Sequence, residues 1–113
     1  AQRLMRRVCS KCVREVAVSD EASDVLARHG MSLDIMHEGA GCSACRQPGH
    51  AGRLGIHEML VIDDALRDTI AGNPTVNELR THCVSQGMRT LREDALLKMA
   101  DGKTSLAEVL RVT

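Results

Sequence analysis

The chain has 113 residues, 15 basic and 15 acidic side chains, and no Phe, Tyr or Trp. That length suits one domain or two small modules rather than a large enzyme. The balanced charge excludes a global field drawing the chain to nucleic acid or an anionic membrane, and there is no transmembrane run. With 43% of residues hydrophobic but none aromatic, the core must be filled by Leu, Val, Ile, Met and Ala, which bury less area each; a bound metal is therefore expected to contribute much of the fold.

The opening Ala1-Gln-Arg-Leu-Met-Arg-Arg reads as the tail of a helix already under way, as if the chain were cut from something longer. It leads into the first of two matched clips, Cys9-Ser-Lys-Cys12, and residues 13 to 41 separate that clip from the second, Cys42-Ser-Ala-Cys45. A C-x2-C clip places two thiolates on one tight turn, and two clips face to face supply the four-sulfur tetrahedron that Zn2+ accepts. Cys9, Cys12, Cys42 and Cys45 are thus the candidate ligands of one structural zinc, with no open position for a hydrolytic water. Two disulfides with a spare thiol, or a thiol-redox pair, are the alternatives; no apolar signal segment supports the first and the duplication of the clip disfavours the second. A chaperone-type C-x2-C-x-G-x-G repeat fails at Gln47. Arg3, Arg6, Arg7, Lys11, Arg14 and Arg46 flank the clips, and are read as cations offsetting the thiolate charge rather than as phosphate contacts. Single-strand binding would also want aromatic platforms, which this chain lacks.

Val13 to Val18 alternates as a short strand. Ser19 and Asp20 then cap a helix of about ten residues ending at Gly30. Residues 31 to 41 read as an extended return to the metal, with Gly39 and Gly41 permitting a sharp approach. The glycines at 49, 52 and 55 lack the Gly-Lys-Ser/Thr ending of a phosphate-binding loop; Pro48-Gly49 instead turns the chain, and Gly55 to Ile62 forms an apolar strand. Asp63 and Asp64 cap a helix stopping at Gly72-Asn73-Pro74. Thr75-Val-Asn-Glu78, Thr90-Leu-Arg-Glu93 and Ser105-Leu-Ala-Glu108 are three capping boxes, in which the hydroxyl takes the third amide and the glutamate reaches back. Inward faces follow at Val76, Leu79 and Cys83, at Leu91, Ala95, Leu96 and Met99, and at Leu106, Val109 and Leu110.

Cys83 is read as a buried small hydrophobe. Among the histidines, His29 and His82 fall in helices, His37 in a loop and His57 on a strand, leaving His50 the one credible substitute ligand. Glu58 and Asp94 are isolated acids, so no catalytic constellation emerges. The expected architecture is α+β and mostly helical: a tetracysteine zinc-stabilised module with short strands over residues 1–62, then a helical packet over 63–113.

Beyond these local readings, Ala1-Gln-Arg-Leu, the two clips, Gly49-His-Ala-Gly52-Arg53-Leu-Gly55-Ile56-His-Glu58, Gly87-Met88-Arg-Thr90-Leu91-Arg-Glu-Asp94 and Thr104-Ser105-Leu106-Ala-Glu108-Val109-Leu110-Arg111-Val112-Thr113 together resemble the C-terminal region of E-type ATPases of type II secretion and type IV pilus assembly. The chain departs from that pattern at His50, usually aromatic there, and at Ala95, commonly glycine. The resemblance implies a tetracysteine zinc site at Cys9, Cys12, Cys42 and Cys45, with a helical extension from about residue 63. It places the nucleotide-binding domain, with its ATP and Mg2+, upstream of Ala1, so that this piece itself is no enzyme. It further implies a cytoplasmic location at the inner face of a bacterial inner membrane, with neighbouring subunits of a ring and membrane platform proteins as partners, and no nucleic acid. The rivals that the residues leave open are a free-standing zinc module binding nucleic acid through its basic start and a C-x2-C redox protein.

Overall fold

The computed structural model describes residues 1–113 and orders them as β1 (Gln2–Val8), β2 (Val13–Ala17), α1 (Asp20–Arg28), β3 (Ile35–Gly39), β4 (His50–His57), α2 (Asp64–Ala71), α3 (Val76–Ser85), α4 (Leu91–Ala100) and α5 (Leu106–Val112). The architecture is α+β, with helix exceeding strand. Two antiparallel ribbons carry all four strands, β1 with β4 and β2 with β3.

Gln2–Val8 is a strand, not a helix end. Unbranched Gln, Arg, Leu and Met favour a helix locally, but that preference is worth only tenths of a kcal/mol per residue. Pairing along β4 and burial of Met5 override it. The apolar strand expected at 55–62 is also displaced, because the ladder runs from His50 to His57 and ends where Glu58 N donates to Ala1 O at 2.8 Å. Met59 to Ile62 have no strand opposite them, and Met59 and Val61 are 74% and 69% exposed. The glycine-rich stretch is itself strand. Arg6 pairs with Arg53 and Val8 with His50, so Ala51 and Gly52 together oppose Arg7 in a bulge, and Gly52 holds φ at +81°.

The core is aliphatic and methionine-rich, as the composition requires. Met5, Met36 and Ile56 from the strands meet Ala22, Val25 and Leu26 of α1, Ala95, Leu96 and Met99 of α4, and Val109 and Val112 of α5. No residue between Ile56 and Leu91 belongs to it. In that interval α2 and α3 pack on each other, burying Leu66 and Cys83, while Val76, expected to face inward, is 75% exposed. The molecule is accordingly elongated, 55 × 26 × 18 Å. Cys83 is a buried small side chain, as read.

Helix starts follow the capping hydroxyls and carboxylates: Ser19, Asp63, Thr75, Thr90 and Ser105 each accept a backbone N–H of the first turn. Only Thr75 and Glu78 complete the reciprocal box. Glu93 turns toward His29, at 3.9 Å, and Glu108 turns away to β1. There its carboxylate accepts from Arg6 N at 2.9 Å, taking a donor on the strand edge not covered by β4. Thr104 Oγ1 donates to Arg6 O at 2.9 Å and Val8 N to Lys103 O at 3.0 Å, so the loop before α5 covers the rest of that edge.

Candidate metal centre

Both clips lie where the two ribbons meet. The first is the turn joining β1 to β2, closed by Cys12 N donating to Cys9 O at 3.3 Å; the second is the turn between β3 and β4, closed by Gln47 N donating to Cys42 O at 2.9 Å. The ladders continue into the turns, with Cys9 N donating to Gly49 O at 2.9 Å and Ala40 N to Cys12 O at 3.1 Å. Each clip is thereby tied by backbone to the strand carrying the other. The ribbons cross at Gly39 and Gly49, where a Cβ on either glycine would overlap the backbone of the other. Only hydrogen side chains allow that approach.

The four thiol sulfurs that the sequence singled out are brought together, all within 4.8 Å of one another. Adjacent sulfurs are 3.7 Å apart for Cys42 and Cys45, 3.8 Å for Cys12 and Cys45, and 3.9 Å for Cys9 and Cys42. A tetrahedron with metal–sulfur bonds of about 2.3 Å has edges of about 3.8 Å. A disulfide needs about 2.05 Å. The donor set and its spacing therefore fit a four-sulfur metal site. Cys9 and Cys45 are buried, and Cys12 and Cys42 half-buried.

The thiols do not ionise alike. Burial opposes charge on Cys45, but backbone bonds at Cys42 and Gly49 and the thiols of Cys42 and Cys12 outweigh it, bringing its pKa down to about 6. At Cys12 burial dominates, with the thiols of Cys42, Cys9 and Cys45 adding to it, and its pKa is pushed up to about 12 despite a backbone bond at Gly41. The easily ionised Cys45 and the reluctant Cys12 lie side by side, and a bound divalent cation would supply the charge that lets both ionise.

Three of the flanking cations do not serve the sulfurs as expected. Arg6 is committed to Glu108 and Arg14 to Glu38, the latter at 2.6 Å, while Arg3 donates to Val112 O at 2.5 Å. Backbone takes that part instead, with Cys42 N donating to Cys45 Sγ at 3.4 Å. His50 is turned to α5, its Nε2 lying 3.1 Å from Ser105 Oγ. Ser105 Oγ already accepts from Glu108 N at 3.3 Å, so its own hydrogen is free to donate to His50 and to join the metal loop to that cap. His37 lies on β3 rather than in a loop, against Gly102.

The acids read as isolated are cross-links. Glu58 accepts from Leu91 N at 3.0 Å, helping to start α4, and Asp94 accepts from His57 N and Lys98 Nζ, both at 2.8 Å. Burial works against the charge on Asp94, but Lys98, the His57 amide and Arg89 hold its carboxyl below the usual range. Asp94 and Lys98 have ordinary i,i+4 helix spacing, but no local pattern marks the bonds of Glu58 to Leu91 and of Asp94 to His57, whose partners are more than 30 residues apart. A cavity of about 500 Å3 lies away from the cysteines; Met59, Leu60, Leu66, Cys83, Met88 and Lys98 are among its walls.

Residues 1–111 match the family described as "Type II/IV secretion system protein". Similar relatives include the type IV pilus assembly ATPase PilB of Thermus thermophilus, 42% identical over 118 residues, which cover all of this chain and 13% of the relative. The type II secretion system protein HxcR of Pseudomonas aeruginosa is 39% identical, covering all of this chain and 20% of its own length. The type II secretion system ATPase E of Vibrio cholerae is 34% identical, with 22% of its length covered. The chain thus spans between about an eighth and a fifth of the length of these curated relatives.

Proposed function

Because the chain belongs to the type II/IV secretion system protein family, we propose that it is the zinc-binding C-terminal part of a secretion or pilus assembly ATPase, a structural and interaction module rather than the site of catalysis. Cys9, Cys12, Cys42 and Cys45 hold one Zn2+, and the metal pins the crossing of the two ribbons. The observation that carries this reading is the cluster of four sulfurs, all within 4.8 Å of one another and with three of the six separations at 3.7 to 3.9 Å. Hydrolysis of ATP is assigned to the rest of the parent chain; Ser105, whose hydroxyl lies 3.1 Å from His50 Nε2, is buried and caps α5.

In the parent, residues 1–62 form the metal module and 63–113 the helical extension. The two share the buried cluster from Met5 to Val112, which supports their moving as one body. That body passes ATP-driven movement to neighbouring subunits of a ring and to platform proteins at the cytoplasmic face of the inner membrane, and so to pilin or pseudopilin assembly. No helix here is long and apolar enough to cross a membrane. Relatives named for secretion and for pilus assembly both match over the whole chain, so the proposal covers either machine.

The test is metal content by elemental mass spectrometry on protein purified under reducing conditions without added metal, with thiols counted before and after chelation. One zinc per chain, with four thiols released only on chelation, is the expected result. Absence of metal together with two disulfides would overturn it.

A further inference from the structure

Arg6 of β1 and Arg53 of β4 stand directly opposite each other in the ladder. Like charges in that position disfavour the pairing. With Arg111 of α5 they line a hollow of about 260 Å3 whose other walls are Leu4 and Met5. The one carboxylate bonded to any of the three is Glu108, and its capacity is spent. It accepts from Arg6 Nε at 3.1 Å and a terminal Arg6 nitrogen at 2.8 Å, from Arg111 Nε at 3.0 Å and a terminal Arg111 nitrogen at 2.5 Å, and from the Arg6 amide.

Each of those guanidiniums has five N–H groups and gives two to Glu108, so three remain on each, and Arg53 forms no ion pair at all. Three fixed cations against one anion leave a surplus of two positive charges around a small concavity. Glu108 also fixes the planes of Arg6 and Arg111, so part of the ordering cost of a binding site has already been met by folding.

We propose that this hollow binds a phosphate group. A phosphate monoester carries close to two negative charges at neutral pH and three acceptor oxygens, which matches the surplus, and guanidinium forks bind such oxygens in pairs. The group can belong to a soluble phosphate compound or to a lipid phosphomonoester; Leu4, 60% exposed beside the hollow, would then meet the lipid's apolar part.

Inorganic phosphate titrated into the chain at constant ionic strength, read by NMR of the arginine Nε–H groups, tests the proposal. Saturable shifts at Arg6, Arg53 and Arg111 are expected, weakened about tenfold or more in Arg53→Gln. Arg53→Lys keeps the charge without the fork and weakens binding as well. Because Arg53 is unpaired and faces the like charge of Arg6, neither variant should lower the melting temperature, which separates lost binding from lost folding. In a second arm, vesicles of phosphatidic acid in phosphatidylcholine are compared with phosphatidylcholine alone. Cosedimentation with the acidic vesicles that is lost in Arg53→Gln assigns the lipid source, and phosphate binding without it assigns the soluble one. If neither arm shows binding that Arg53→Gln removes, the proposal is overturned.

Discussion

Replacing Glu108 by Gln keeps the side chain's shape and removes the charge that two arginines share. The carboxylate is fully buried, yet the side chains of Arg6 and Arg111 are 45% and 55% exposed. Breaking a buried ion pair costs about 3 to 5 kcal/mol when the stranded partner is also buried. Here both guanidiniums can return to water, which reduces the cost, while the new amide N–H2 is turned against donors. A loss of about 2 to 3 kcal/mol follows, or a melting temperature about 10 °C lower for a chain of this size. The pH dependence has a definite sign. Arg111 above all, then Arg6 side chain and amide, hold the Glu108 carboxyl far below its usual range against the opposing effect of burial. A depressed carboxylate stabilises fully above the unfolded value, about 4.3, and that stability is lost as pH falls toward the folded value. Asp94, lowered by Lys98 and the His57 amide against burial, acts in the same window. Urea unfolding of both proteins at pH 7, 5 and 3 should therefore show a gap that is constant at the two higher values and narrows at pH 3. Loss of metal in acid is common to both proteins and cancels in the difference. A variant within about 0.5 kcal/mol of the parent chain at pH 7, or a gap independent of pH, would refute the argument.

Cys42→Ser should lower metal stoichiometry and melting temperature together, after which a chelator has no further effect; unchanged melting and metal content would defeat the structural role assigned to the cluster. Gly39→Ala sets a methyl group into the Gly49 backbone, and should destabilise by at least about 2 kcal/mol and weaken metal retention, measured by competition with a chromophoric chelator. Ser105→Ala removes both the α5 cap and the bond to His50, for about 1 to 2 kcal/mol of global stability in denaturant unfolding. Thr75→Ala removes an equivalent cap from a helix outside the shared core. It should appear as faster amide exchange confined to α3, with the global transition moved by less than about 1 kcal/mol.

How far the chain could be read in advance follows from the range of the forces involved. The helix starts at Ser19, Asp63, Thr75, Thr90 and Ser105 were legible because a capping side chain bonds an amide two or three residues along. The cysteine clips were legible for the same reason, since two thiols on one turn are a local arrangement and the repetition of the spacing pairs the turns. Composition likewise settled that the core would be aliphatic. What escaped was everything decided by a distant partner. Gln2–Val8 is a strand because β4 lies beside it, and Met59–Ile62 is not one because nothing does. Glu93 and Glu108 have the spacing of capping boxes, but His29 and Arg6 draw their carboxylates elsewhere. Arg6 and Arg14 near the clips have carboxylate partners that no spacing rule reveals. The sequence placed Gly39 as a residue permitting a sharp approach to the metal and Gly49 as a turn residue, with no link between them. Their need for each other, at the crossing that brings four sulfurs within 4.8 Å, arises from backbone against backbone across the fold, where side-chain pattern carries no signal.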